Sequence, residues 1–319
     1  MWNQWDASHY IDIAYNGYGE RWWNTAYFPL LPLTLRPLML FGLDATVAGL
    51  VVAAVASLVA LAYLHRLVEE EVGEESGWRA CTYLAFFPTA VFLVAPYGDT
   101  LLLAGAIPAF YYARRARWGA VVLPAAIAVG ARLTGVTLLF GLFLEGLRQR
   151  LAWRQRLAHL GALALASIPL LVYAGFLWRR MGHPLHFLIA LRAWHRRPTD
   201  PITTFQATWH DMVGATHSAA WAYAWRGEII AVVAATAIIV VYLRRREWGY
   251  VGFMGGTLAG YATSGFYFAT PRMLLTFFPI VILMAEATRS ERSHNVVLLI
   301  MAPVAAVGVI VFTHGLWFF

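Results

Sequence analysis

Residues 44–66 read Asp44-Ala45-Thr46-Val47-Ala48-Gly49-Leu50-Val51-Val52-Ala53-Ala54-Val55-Ala56-Ser57-Leu58-Val59-Ala60-Leu61-Ala62-Tyr63-Leu64-His65-Arg66. No Asp, Glu or Arg interrupts the run between Asp44 and Arg66. A helix of roughly 20 such residues crosses the hydrocarbon core of a bilayer with its backbone groups paired internally. Working outward from it, comparable runs lie at about 79–97, 99–113, 158–178, 228–243, 249–268, 272–288 and 295–313. Two regions depart from the pattern. Residues 26–43 hold Pro29, Pro32 and Pro37 and predict a short kinked or re-entrant piece. Between Arg117 and Arg148, Pro124, Gly130 and Arg132 fall near the middle, which predicts two short helices meeting at mid-membrane. The expected fold class is an all-α polytopic membrane protein.

The composition agrees. The 319-residue chain is 60% hydrophobic and 13% charged, where a soluble domain carries about 25% charged residues. Its net charge of +7 comes from Arg alone, since Lys is absent. Such a balance on a membrane protein reflects positive-inside loops, not nucleic-acid binding. The groups around Arg114-Arg115-Arg117, Arg148–Arg156, Arg244–Arg246 and Arg289–Arg292 all predict one cytoplasmic side. Loop 179–227, the turn at Thr270-Pro271 and Tyr97-Gly98-Asp99 then fall outside, and the acidic run Glu69-Glu70-Glu71 reads as a solvated inner loop. The single Cys81 forms no internal disulfide and reads as a small core residue. Neither a signal peptide nor a soluble domain is apparent, so residues 1–319 form one membrane domain.

Against this apolar background the opening stands out: Trp5-Asp6-Ala7-Ser8-His9-Tyr10-Ile11-Asp12-Ile13-Ala14, running through Gly17-Tyr18 to Phe28-Pro29-Leu30-Leu31-Pro32-Leu33. On a helix Asp6, His9 and Tyr10 share one face, and Asp12 points away from it. Trp2, Trp5, Tyr15, Tyr18, Trp22 and Trp23 suit a membrane–water boundary. Residues 1–27 therefore read as an interfacial loop facing the membrane domain.

These residues resemble the first extracytoplasmic loop of the GPI mannosyltransferase 2 (PIG-V) family, part of the GT-C superfamily of lipid-phosphosugar-dependent glycosyltransferases. Further stretches fit in order: Phe86-Phe87-Pro88-Thr89, Ala95-Pro96-Tyr97-Gly98-Asp99-Thr100, Ala131-Arg132-Leu133-Thr134-Gly135-Val136, Pro271-Arg272 and Phe278-Pro279. The likeness covers roughly residues 2–290. It implies a GT-C bundle of about nine to eleven transmembrane or re-entrant helices, with the catalytic Asp at Asp6. That family carries a transmembrane helix before the Trp-Asp motif, so a first helix is expected ahead of this start. Gly98-Asp99-Thr100 departs from the family's Thr-Glu-Ser order, which leaves the role of Asp99 open.

The candidate residues follow from the chemistry. Sugar transfer from a lipid phosphate with inversion needs one carboxylate to take the acceptor proton, because the phosphate departs as an anion. Asp6 is the base in this reading, with a pKa expected to be raised by apolar surroundings; its alternative is a helix N-cap. Asp12 is a second acidic candidate. His9 and Tyr10 either bind substrate hydroxyls or orient Asp6. Asp99 either caps a helix or meets substrate. Arg132 and Arg272 are charges within apolar runs, suited to a donor phosphate or to an internal carboxylate pair. Trp194, His195 and Arg196, beside Arg192 and Arg197, either grip phosphate and stack sugar or form a solvated surface. His183 and His186 are a weak metal motif, and neither a metal nor a cofactor is expected.

The expectation is an integral, multi-pass enzyme, in a bacterial plasma membrane by its Arg-only usage, with an extracytoplasmic active site. It would move mannose from polyprenyl-phosphate-mannose to a hydroxyl of a glycolipid or glycan; other sugars would need the same parts. The alternatives are a transporter or flippase of a lipid-linked sugar, and an inactive or partner-dependent relative.

Overall fold

The computed structural model describes residues 1–19, 21–214 and 219–317, and among them every regular element is a helix. Helix α1 (Asp6–Asn16) leads through a 3-10 turn at Trp22–Ala26 to α2 (Leu30–Leu40). Helices α3 (Ala45–Val72), α4 (Ser76–Ala85), α5 (Gly98–Arg114), α6 (Trp118–Ala131) and α7 (Thr134–Arg148) follow, with a 3-10 turn at Ala90–Leu93 before α5. Next come α8 (Trp153–Ala166), α9 (Ile168–Met181), α10 (His186–Ala190), a 3-10 turn at Leu191–Trp194 and α11 (Pro201–Val213). The chain closes with α12 (Ala219–Arg244), α13 (Trp248–Ala262), α14 (Thr270–Thr276), α15 (Pro279–Ala287) and α16 (Glu291–Thr313).

Four stretches are long and apolar enough to cross a membrane: α3, α8 with α9 as Trp153–Met181, Ala224–Arg244 of α12, and α16. The pair α14–α15, bent by 73° at Phe277-Phe278, makes a fifth if it counts as one span. Several expected spans are therefore shorter or broken. Residues 79–97 are not one helix: α4 stops at Ala85, and Pro88, which has no N–H to donate, opens an irregular segment that reaches α5. Residues 272–288 divide at the bend, and 249–268 ends at Ala262. The two-helix expectation for 117–148 agrees with α6 and α7, which part at an extended Arg132 (φ −155°, ψ 155°). The proline-rich 26–43 yields the short α2, with Pro37 inside it.

In lipid, apolar burial between helices gains little over contact with acyl chains, so close packing and polar ties hold such a bundle. Helices α3, α5, α6, α7 and α13 supply that packing around Phe110, Tyr250, Phe253 and Phe278. A Cβ on Gly105 of α5 would lie 2.4 Å from the Pro124 carbonyl oxygen of α6, so glycine permits this approach.

The Arg groups assigned to one membrane side do gather at one end. Arg114 pairs with Glu71 at 2.9 Å and Glu247 at 2.7 Å, Arg148 with Glu247 at 2.9 Å, and Arg245 with Glu286 at 2.5 Å. Glu69-Glu70-Glu71 ends α3 instead of forming a loop; the Glu69 and Glu70 side chains stay partly open to solvent, whereas Glu71 accepts the Tyr250 hydroxyl and the Arg114 guanidinium. Helix α5 carries Asp99 at its other end, about 22 Å away at 1.5 Å per residue.

Candidate functional site at the helix starts

The end of the bundle opposite the Arg groups is built from helix beginnings. Asp6 is the first residue of α1, Asp99 the second of α5, Arg272 the third of α14, and Arg132 stands at the break before α7. Orphan N–H groups and the positive end of the helix dipole favour carboxylates at such positions. Tyr97 is extended (φ −124°, ψ 155°) and turns the chain into α5. A Cβ on Gly98 would lie 2.9 Å from both the Tyr10 hydroxyl and the Ala131 carbonyl oxygen, so glycine lets α1, α5 and α6 converge here.

Arg272 joins the two aspartates. Its Nη1 donates to Asp6 Oδ2 at 2.5 Å, while Nε and Nη2 both donate to Asp99 Oδ2 at 3.0 and 2.7 Å. Arg132 Nη1 donates to Asp99 Oδ1. The Arg272 guanidinium also lies over the rings of Tyr97 at 4.4 Å and Phe92 at 4.8 Å, an arrangement that suits its planar charge. Two Asp and two Arg balance to zero.

The two carboxylates differ in access. Asp99 is wholly buried, whereas the Asp6 side chain is 31% exposed. Asp6 Oδ1 accepts the Tyr27 hydroxyl at 3.0 Å, and the Tyr97 hydroxyl donates to the Gln4 carbonyl at 3.1 Å. Burial alone would raise the Asp6 pKa. The charges of Arg272 and Arg132, and the hydrogen bonds from Arg272 and Tyr27, outweigh it and hold Asp6 below the ordinary 3.8. The expected upward shift is thus reversed by its cationic neighbours. Burial and the Asp6 charge raise Tyr27, so its hydroxyl keeps the proton it donates.

Neither aspartate caps its helix. Trp5 is the cap residue of α1, at φ 52°, and no side-chain cap bond is made there or at Tyr97 before α5. The internal-pair alternative holds for Arg132 and Arg272, which are occupied by Asp99 and Asp6.

The remaining candidates divide. Tyr10 is buried, with its ring edge-on to Tyr27 at 5.1 Å. His9 stacks on Tyr27 at 4.6 Å, shares a 2.8 Å hydrogen bond with Asn24, and meets Trp194 edge-on at 5.7 Å. Trp194 also stands edge-on to Tyr27, so the aromatic wall beside Asp6 is His9, Tyr27 and Trp194. Asp12 faces elsewhere, accepting Asn24 at 2.7 Å and Asn16 at 2.8 Å. Arg196 does not touch the carboxylates; it donates to the Phe268 carbonyl at 2.8 Å and lies over Tyr261. His195 is exposed at φ 59°. His186 shares a 2.8 Å bond with Thr25, and among the described residues no three His, Cys, Asp or Glu are placed to hold a metal.

Sequence reasoning missed Tyr27, Tyr97 and Glu228. Glu228 is 2% exposed and lies in the run at 228–243. The rule that marked Arg132 and Arg272, a charge in an apolar run, points equally to it.

An apolar cavity of ≈ 560 Å³ opens beside α1, lined by Ile13, Leu30, Leu33, Val172 and Phe176, with Arg36 and Arg180 also on its wall. Ile13 lies seven residues from Asp6, about 10 Å along α1. Arg36 donates to the last carbonyls of α1, Ala14 at 3.0 Å and Ile13 at 3.5 Å.

The geometry defines an all-helical protein of membrane type with one accessible carboxylate in a buried ionic network. No family model, curated protein or solved structure matches the chain.

Proposed function

We propose that the chain is a PIG-V-like glycosyltransferase of GT-C type, moving mannose from polyprenyl-phosphate-mannose to a glycolipid or glycan hydroxyl outside a bacterial plasma membrane. The observation that carries this reading is the Asp6–Arg272–Asp99–Arg132 network, in which only Asp6 combines a carboxylate with substantial access. The broken and short helices α4, α6, α7, α14 and α15 would be the half-spans of a GT-C bundle.

In this mechanism the acceptor oxygen attacks the anomeric carbon from the face opposite the phosphate. The carbon–phosphate oxygen bond breaks, the lipid phosphate leaves as an anion, and the acceptor proton passes to an Asp6 oxygen. Asp6 is ionised in the resting protein and available to accept it. A donor phosphate competes with Asp6 for Arg272; as it takes up that charge, Asp6 becomes more basic. Tyr27 holds the other Asp6 oxygen in place. Asp99, tied to both arginines, anchors the network instead of reacting. The apolar cavity and its two arginines suit the chain and phosphate of a polyprenyl lipid.

The test is loss of polyprenyl-phosphate-mannose in proteoliposomes supplied with mixed glycolipid acceptors. The wild type consumes donor, and Asp6→Asn is slower by about 10²–10⁴-fold, the usual contribution of a general base. Equal consumption by both would remove Asp6 from the mechanism. Flipping of intact lipid without donor loss would favour the transporter.

A further inference from the structure

Arg272 belongs to a seven-residue helix with little hydrogen bonding of its own, so its placement needs an outside anchor. Helix α14 begins at a strained point, because Ala269 is non-glycine at φ 62°. Its second residue, Pro271, has no N–H.

The groups that open the helix all meet one side chain. Glu228 Oε1 accepts the Ala269 N–H at 2.8 Å, and Oε2 accepts the Thr270 N–H at 2.8 Å and the Thr270 hydroxyl at 2.6 Å. That hydroxyl also lies 3.0 Å from the Glu228 carbonyl. Thr270 is wholly buried. The segment before it is held as well: Thr204 accepts Gly265 N–H at 3.3 Å, Thr208 accepts Tyr267 N–H at 2.8 Å, and Arg196 donates to Phe268.

We propose that Glu228 is a positioning residue for Arg272, its carboxylate fastening the first turn of α14 so that the guanidinium bridges Asp6 and Asp99. A carboxylate taking two backbone N–H groups and a hydroxyl has both oxygens occupied at the start of α14. Arg272 follows Thr270 by two residues, about 3 Å along the helix. A shift at the anchor therefore passes almost undiminished to the guanidinium. Glu228 touches no reacting group and acts only through α14. This inference gives the proposed enzyme a further residue but depends on the geometry of Arg272, not on the identity of the substrate.

The test reads Asp6 directly. A water-soluble carbodiimide modifies protonated carboxyl groups, and peptide mass spectrometry gives the rate at Asp6 in the detergent-solubilised full chain. A rise of one unit in the Asp6 pKa multiplies its protonated fraction about tenfold, the gain expected in the control Arg272→Ala. Glu228→Gln and Thr270→Val each raise the rate by a smaller factor, about threefold, through a displaced Arg272. Glu228→Asp restores part of the protection. Turnover of polyprenyl-phosphate-mannose falls in the same order. If Glu228→Gln and Thr270→Val label Asp6 at the wild-type rate while Arg272→Ala labels it faster, the inference is overturned. If labelling follows the expected order but the wild type turns over no donor, the positioning role stands and the proposed reaction fails.

Discussion

Two ionic clusters occupy opposite ends of the bundle, with α5 reaching both, and their construction differs. At one end Glu71, Arg114, Glu247, Arg148 and Glu145 alternate in a chain that ties α3, α5 and α7 to the turn before α13. Glu71, Arg114, Glu145 and Arg148 sit near helix C-termini, where the arginines suit the dipole and the glutamates need them, while Glu247 precedes α13. At the other end, Asp6 and Asp99 sit at helix starts, and Arg272 and Arg132 converge on them. The far chain joins helices that already run side by side. The near cluster joins α1, the start of α5, the break before α7 and the short α14, and it leaves one carboxylate reachable beside an aromatic wall. The same pairing chemistry serves as a tie at one end and as a prepared site at the other.

Stability tests should separate the two ends. The largest effect is expected for Asp99→Asn, which leaves Arg132 without its carboxylate and Arg272 with only Asp6. Breaking a buried pair in this way costs about 3–5 kcal/mol, read from thermal unfolding in detergent. At the far end Glu145→Gln removes an equally buried carboxylate, but one with a single arginine and an oxygen, Oε2, that meets no partner among the described residues. Its cost should be about 1–3 kcal/mol, with turnover kept. Loss of turnover in this folded variant would make the two ends functionally alike.

Glu247→Gln weakens two pairs that are partly open to solvent, so about 1 kcal/mol or less is expected. The smallest effect is one of pH. Asp6 is held below its ordinary 3.8, so its pairing contributes fully above that unfolded value. That contribution is lost as pH falls through the lower folded value. The difference in melting temperature between wild type and Asp6→Asn should therefore stay constant from pH 7 to 5 and shrink only near pH 3. A difference that shrinks already by pH 5 would mean that Arg272 does not dominate Asp6.

The sequence by itself determined the helical class, the long apolar runs, the segregation of arginines and the residues whose charge is out of place in an apolar run. These are local properties: a run of side chains without charge needs no partner to be read, and a proline interrupts a helix wherever it stands. It also singled out Asp6, Asp99, Arg132 and Arg272, but left open whether the arginines awaited a phosphate or already held aspartates. That choice belonged to the tertiary structure, because Arg272 lies 173 residues from Asp99 and 266 from Asp6 along the chain. Only packing could also place Glu71 against Arg114 and Glu228 at the start of α14. The stability of each buried charge depends on which distant partner reaches it, and that distance is a property of the folded bundle.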